Sequence, residues 1–207
     1  MLGDYGFPKF LVMKDLPSDP IELFKEWHAQ AKQTSLKEPN SMTVATTGRD
    51  LRPSVRVVLL KAVDERGFIF YTNLESDKAI QIKENPFAAL GFHWDSLRKQ
   101  VRVSGPVEQV SDEEADAYFA TRERASQIGA WASRQSQPLK NMFELEKRIV
   151  QYGAKYSIGL VPRPSYWSGY RVKPERIEFW NHRRFRLHQR ICYEKDQQGW
   201  KSYYLYP

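Results

Sequence analysis

Residues 185–190 read FRLHQR and set Arg186, His188 and Arg190 at every second position. The flanks, RIEFWNHRR before and ICYEK after, are rich in aromatic and β-branched residues, so the stretch reads as a strand. Side chains alternate faces along a strand, which puts all three groups on one side. Two guanidiniums and an imidazole so placed repel one another unless something anionic or electron-rich lies opposite.

Five other stretches carry groups that could hold such a ligand. RVVLLK (56–61) alternates Arg56, Val58 and Leu60 against Val57, Leu59 and Lys61. Both faces are mostly apolar, which predicts a central strand; the charges at its ends either find partners there or reach solvent. FYTNLESDK (70–78) predicts a strand running into a helix start. Backbone amides there, with Thr72, Ser76 and Lys78, could cradle a phosphate, or Ser76 could simply cap the helix. RKQVRVSG (98–105) puts Gln100 at a strand start, and SRQSQ (133–137) puts Gln135 and Ser136 ahead of a helix. Such amides either read the polar edge of a heterocycle or decorate a surface loop. In AYFATRERASQIGAW (117–131), Tyr118, Arg122 and Ser126 stand four apart. On one continuous helix they make a stripe suited to a phosphorylated ring, or else a solvated face. The four histidines show no metal-ligand spacing with carboxylates, and no nucleophile elbow or Gly-rich nucleotide loop stands out, so no metal is expected.

Positioning these groups takes a mixed fold. Asp19 and Pro20 open a helix whose apolar residues Ile21, Leu23, Phe24 and Trp27 share a face. SMTVATTG, RPSVRVVLLKAV, RGFIFYTN, FAALGFHW and KQVRVSGPVEQV read as strands joined by short turns. SDKAIQIKENP, SDEEADAYFATR (with a Ser111–Glu114 capping box) and PLKNMFELEKRIVQYGAKY read as helices. Strands return in SYWSGYRV, RIEFWNH, FRLHQRICYEK and GWKSYYLYP, too few to bury a core alone, so they extend the sheet or an interface. The fold class is α+β, an antiparallel sheet closed into a barrel with flanking helices.

The 207 residues, 41% of them hydrophobic, can bury one generous core. There is no apolar run long enough for a membrane span, and MLGDYGFPKF is not expected to act as a secretory signal. Cys192 is the only cysteine, which fits a cytoplasmic location. A net charge of +7 admits nucleic acid, a membrane surface or small phosphorylated ligands. The basic residues are spread along the chain and no nucleic-acid motif appears, so neither nucleic acid nor membrane is expected as a partner.

Taken together, RVVLLK, FYTN, SDKA, KQVRVSGPVE, SQIGAWASRQS, PSYWSGYRV, IEFW and RLHQR stand in the order found in the pyridoxine (pyridoxamine) 5′-phosphate oxidases. The chain resembles that family over residues 15–207. The resemblance implies a single FMN-binding split-barrel domain over residues 1–207, with 1–15 a flexible N-terminal segment. It implies a cytoplasmic homodimer with FMN at the interface. The reaction implied is oxidation of pyridoxine 5′-phosphate or pyridoxamine 5′-phosphate to pyridoxal 5′-phosphate, with dioxygen as acceptor and hydrogen peroxide as product. FMN falls to Arg56, Val57, Val58, Leu59, Leu60, Lys61, Tyr71, Thr72, Asp77, Lys78, Gln100, Gln135, Ser136, Trp180 and Arg190. Substrate falls to Lys61, Tyr118, Arg122, Ser126, Arg186 and His188, the last two also in the catalytic role. On that implication, the basic face of FRLHQR meets a flavin and a phosphorylated pyridine.

The chain departs from the family pattern in places. Asp77 stands where a basic or neutral residue is usual, Gln189 where Asp is usual, and the chain ends YLYP rather than RLAP. In the short N-terminal segment Tyr5 is the candidate for closing over the substrate. Two other classes compete: a related split-barrel flavin enzyme for another substrate, and a non-catalytic carrier of pyridoxal phosphate. Tyr118, Arg122, Ser126, Arg186 and His188 occurring together favour the oxidase. A flavin absorption spectrum separates it from the carrier.

Overall fold

The computed structural model describes Val12 and residues 15–207. Tyr5 and most of the expected N-terminal segment lie outside the described residues. In chain order the elements are α1 (Pro20–Lys32), β1 (Ser41–Thr47), β2 (Pro53–Leu59), β3 (Ala62–Asp64), β4 (Gly67–Asn73), α2 (Asp77–Glu84), β5 (Phe87–Trp94) and β6 (Lys99–Gln109). Then follow α3 (Asp112–Ala120), α4 (Arg124–Ala132), α5 (Met142–Lys155), β7 (Trp167–Val172), β8 (Arg176–Asn181), β9 (Gln189–Asp196) and β10 (Gly199–Leu205).

All pairings are antiparallel, in the order β10-β9-β8-β6-β5-β1-β2, with β7 joining β6 to β4 and β3. The sheet curls into a half-barrel. β6 makes the curl by serving two neighbours along one edge: Lys99–Ser104 pairs with β8, and Val107–Gln109 with β7. Gly105 sits at the changeover. A Cβ there would lie 2.0 Å from the Lys173 carbonyl oxygen, so only glycine lets the β7–β8 connection pass this close.

The core fills the curl. Asp19 caps α1 by accepting from the Ile21 amide at 2.8 Å, as its sequence spacing predicts. α1 then lays Phe24 edge-on against Phe68 and Phe92, with ring centroids 4.8 and 4.9 Å away. A second, smaller cluster of Phe119, Ile128, Val161 and Trp167 lies between the helices and β7. Arg171, 2% exposed, ties β7 to Asp64, Glu108 and Glu114. Glu114 also closes the Ser111 capping box. Its hydrogen bond from Arg171 leads the causes that hold its carboxyl down to about 2. That anchoring fixes where α3 begins. No helix among the described residues is long and apolar enough to cross a membrane.

The sequence expectation of a central RVVLLK strand is corrected: β2 pairs with β1 alone and is an edge strand. Its two apolar faces have a different cause. Val58 packs on the core, while Val55 and Val57 stand 61% and 66% exposed at the open edge.

Candidate active site

Because β2 and β4 do not pair, the half-barrel is open at that seam, and a cleft of about 1020 Å³ occupies the opening. Arg56, Val57, Val58, Leu59 and Lys61 line one side. Tyr71, Thr72, Asp77 and Lys78 line the second, from the end of β4 into α2. Tyr118, Arg122 and Ser126, with Gln135 and Ser136, complete the wall. Leu60 departs from this group: it is 3% exposed and belongs to the core.

The polar end of the cleft is built around Lys78. Its Nζ, buried at the start of α2, donates to Thr72 Oγ1 (3.1 Å), Ser76 Oγ (3.2 Å) and Gln135 Oε1 (2.9 Å). All three are neutral oxygens. Burial first, and the positive charge of Arg56 second, lower the ammonium pKa to about 8, with Asp77 opposing. Ser76 holds the N-cap position, yet its hydroxyl donates to the Asn73 carbonyl (2.7 Å) and caps no amide. That corrects the simple capping alternative and leaves first-turn amides of α2 open. One of them, Asp77 N–H, donates to Ser136 Oγ at 3.2 Å. Ser136 reaches it from a left-handed backbone conformation (φ 70°). Arg56 also sits among neutral oxygens, donating to Thr46 Oγ1 at 2.5 Å and Ser54 Oγ at 2.7 Å. Burial lowers its pKa and the Asp77 charge opposes that.

The aromatic wall comes next. Tyr71 and Tyr118 stack with centroids 4.0 Å apart and planes 13° apart. Trp167 lies nearly parallel to both, at 5.2 and 6.2 Å. Gly169, in register with Tyr71, makes this possible: a Cβ there would come within 2.8 Å of the Tyr71 ring. The Arg122 guanidinium lies 4.8 Å from the Trp167 ring centroid, and its Nη1 is buried without a hydrogen-bond partner. The expected continuous helix carrying Tyr118, Arg122 and Ser126 is corrected. α3 ends at Ala120 and α4 begins at Arg124. The three side chains nevertheless line one cleft, because the turn between the helices, with Arg122 and Glu123, itself borders it.

The remaining expected residues form a second group, away from the cleft wall. Gln100 on β6 is directly opposite Trp180 on β8, and Trp180 is opposite Arg190 on β9. Cross-strand partners share a face, so the three make one row. Arg190 Nε donates to Glu178 Oε1 at 2.9 Å and its Nη1 to the Tyr206 carbonyl at 2.8 Å. Glu178 is 2% exposed and also holds Arg102 and Arg176. Burial works to raise its carboxyl pKa, but the hydrogen bonds from Arg190 and Arg102 outweigh that and leave it lowered.

FRLHQR itself is not a strand. Residues 184–186 form a single 3-10 turn, with Phe185 and Arg186 at φ 57° and 60°, and β9 starts only at Gln189. Left-handed backbone breaks the two-residue alternation, so the shared-face argument fails for Arg186 and His188. Arg186 is exposed. His188 Nδ1 accepts from the Arg183 amide at 3.2 Å, which leaves Nε2 to carry the proton of the neutral ring. Burial first, then the neighbouring His182 and Arg186, hold His188 below its ordinary pKa. The ring packs 4.5 Å from Trp180, joining the turn to the row.

Trp167, Gly169 and Glu178 were not among the expected site residues. A readable sign existed for the first two. Trp167 and Gly169 sit two apart in PSYWSGYRV, and a glycine on the same strand face as a tryptophan leaves space for a further flat ring.

Comparison with known proteins gives concordant results. Residues 29–181 match the family model described as pyridoxamine 5′-phosphate oxidase. Residues 167–207 match the pyridoxine 5′-phosphate oxidase C-terminal dimerisation region. The pyridoxine/pyridoxamine 5′-phosphate oxidase of Rhodospirillum rubrum is 57% identical over 194 residues, covering 91% of this chain and 96% of its own. That of a Chelativorans species is 54% identical over 190 residues, covering 91% of each. Among solved structures, PhzG from Burkholderia lata, in complex with tetrahydrophenazine-1-carboxylic acid, superposes with a TM-score of 0.90 at 33% identity over 98% of this chain and all of its own. A pyridoxamine 5′-phosphate oxidase-related, FMN-binding protein from Nostoc punctiforme shares the fold, with a TM-score of 0.73 at 19% identity, covering 91% of this chain and 98% of its own.

Proposed function

The chain belongs to the pyridoxine/pyridoxamine 5′-phosphate oxidase family, and on that premise we propose that it is a cytoplasmic, FMN-dependent oxidase. It converts pyridoxine 5′-phosphate or pyridoxamine 5′-phosphate to pyridoxal 5′-phosphate. One observation carries the reading: a single cleft holds two cationic places, each kept ready by uncharged neighbours. Lys78 is surrounded by three neutral oxygens, and Arg122 lies against aromatic rings with a buried, unbonded Nη1. A reaction between a flavin mononucleotide and a phosphorylated pyridine needs places for two phosphates.

The residues fit those groups. Lys78, Arg56, Ser136 and the first amides of α2 would hold the FMN phosphate, since helix-start amides and buried cations favour an anion. Arg122, Tyr118, Ser126 and Lys61 would hold the substrate phosphate. Tyr71 and the inner side of β2 would flank the flavin. When bound, the flavin supplies the two-electron acceptor, and dioxygen takes the electrons on to become hydrogen peroxide. The chain's own work is to fix two flat rings in register and to keep water from between them. His188, neutral with its proton on Nε2, would donate a hydrogen bond to the substrate. Arg186 covers the substrate ring.

Gln100, Trp180, Arg190, Arg186 and His188 stand apart from the cleft of their own chain, and most of them fall in the matched dimerisation region. In a two-fold homodimer each protomer would present this group to its partner's cleft, completing two equivalent sites. The test is to incubate FMN-loaded protein with each phosphorylated substrate and follow pyridoxal 5′-phosphate and hydrogen peroxide together. Equimolar formation of both is expected. A flavin-loaded dimer that forms neither product overturns the reading.

A further inference from the structure

Two classes of arginine in the chain differ in what holds them. Arg163 and Arg171 are clamped by carboxylates: Asp112 and Asp116 for the first, Asp64, Glu108 and Glu114 for the second. Arg190 is clamped by Glu178. Arg122 is half-buried, yet among the described residues no carboxylate lies within ion-pair distance of it. What holds it is the face of Trp167 at 4.8 Å, with Phe119 at 5.6 Å.

The chemical consequence is specific. A carboxylate would fix Arg122 but would take its N–H donors and cancel its charge, and an incoming phosphate would have to displace it. An aromatic face fixes the plane of the guanidinium through its quadrupole and takes no donor. Trp167 is well placed for this. It is 7% exposed, packed in the second core cluster against Phe119 and Ile128, and lines the cleft. Its own backbone is pinned, with the amide donating to the Pro164 carbonyl at 3.0 Å and the carbonyl accepting from Arg163 Nη1 at 2.8 Å. The same indole lies 5° from parallel with Tyr118, the phenol beside Arg122 in the cleft wall.

We propose that Trp167 is a positioning residue for the substrate phosphate: its ring fixes Arg122 and Tyr118 while leaving their donors unspent for the anion. This rests on reading the Arg122 part of the cleft as the substrate phosphate site.

The experiment is a double-mutant cycle read by equilibrium binding of pyridoxal 5′-phosphate and of inorganic phosphate to the FMN-loaded protein. The variants are Trp167→Leu, Trp167→Phe, Arg122→Ala and the doubles. Trp167→Leu should weaken pyridoxal 5′-phosphate binding by roughly tenfold, as loss of a desolvated cation–π contact does. Trp167→Phe should restore most of it, and FMN affinity should stay at the wild-type value in both. In the Arg122→Ala background, Trp167→Phe and Trp167→Leu should cost clearly less than in the wild type, leaving only the part that acts through Tyr118. With pyridoxamine 5′-phosphate the Leu variant should raise KM more than it lowers kcat, and dephosphorylated pyridoxamine should show no such change. Equal losses from Trp167 substitution with and without Arg122 overturn the proposal, as does wild-type affinity in Trp167→Leu. If the Leu variant does not fold, the Phe arm of the cycle decides by the same criterion. If wild-type protein binds neither phosphate nor pyridoxal 5′-phosphate, the functional reading itself fails, a result distinct from loss of coupling.

Discussion

Lys78 Nζ donates to Gln135 Oε1 at 2.9 Å, joining the first turn of α2 to a loop 57 residues further along the chain. The contact presets both halves of the proposed FMN phosphate cradle before any anion arrives. Lys78→Ala removes the charge and releases Gln135 and Thr72 together. FMN affinity should fall by about 1.5–3 kcal/mol, the range for hydrogen bonds to charged groups. Titration of flavin fluorescence measures it, and an unchanged dissociation constant would place the phosphate elsewhere.

The same ammonium makes binding pH-dependent. Its pKa is lowered from 10.5 to about 8 in the folded chain. Between those values the unfolded chain holds the extra proton, so the stability of FMN-free protein should rise with pH through that window. Below pH 8 the buried charge costs about 3 kcal/mol, at about 1.36 kcal/mol per pH unit. Phosphate favours the ammonium, so FMN affinity should decline as pH rises past about 8. Lys78→Met should flatten both profiles; thermal melts and FMN titrations from pH 6 to 10 read them.

Asp77 lines the cleft beside Arg56 and Lys78, and its charge acts on both. An acid there opposes a phosphate. Asp77→Asn should tighten FMN by a few tenths of a kcal/mol to about 1 kcal/mol, the worth of a partly screened charge, and Asp77→Arg by more. Looser binding in Asp77→Arg would show that the loop is placed differently around the phosphate.

Arg186 and Arg190 should separate in their effects. Arg190 is held by Glu178 and the Tyr206 carbonyl in the row with Trp180 and Gln100, whereas Arg186 sits exposed on a left-handed turn. Arg190→Ala should lower FMN occupancy. Arg186→Ala should keep FMN but slow anaerobic flavin reduction by bound substrate in stopped flow. Lys at 186 should recover only part of that rate, because an ammonium does not stack as a planar guanidinium does. Wild-type reduction in Arg186→Ala at every substrate concentration would remove it from the site.

Val55 and Val57 stand exposed on an edge strand and line the open cleft together with Arg56 and Val58. If the cleft is completed by a second copy, Val57→Asp should yield a monomer of 24.3 kDa in sedimentation and lose FMN at the same time. A monomeric Val57→Asp variant that retains FMN and full activity would contradict the shared site.

Much of the frame is written locally in the chain. Asp19–Pro20 starts α1, the Ser111–Glu114 box starts α3, and alternating apolar residues mark β1 and β5, because caps and periodicity act over a few residues. The ordered motifs likewise named the family from sequence alone. What the tertiary structure decided is long-range. Only folding places Gln135 on Lys78, or Gln100, Trp180 and Arg190 in one row, since register across strands depends on partners distant in the chain. β2 reads as central because two apolar faces look alike whether each is covered by the same chain or left open at an edge. FRLHQR reads as a strand because its composition fits one. Two left-handed residues, Phe185 and Arg186, turn the backbone there instead, and neither is of the glycine or asparagine type that announces such a conformation in sequence.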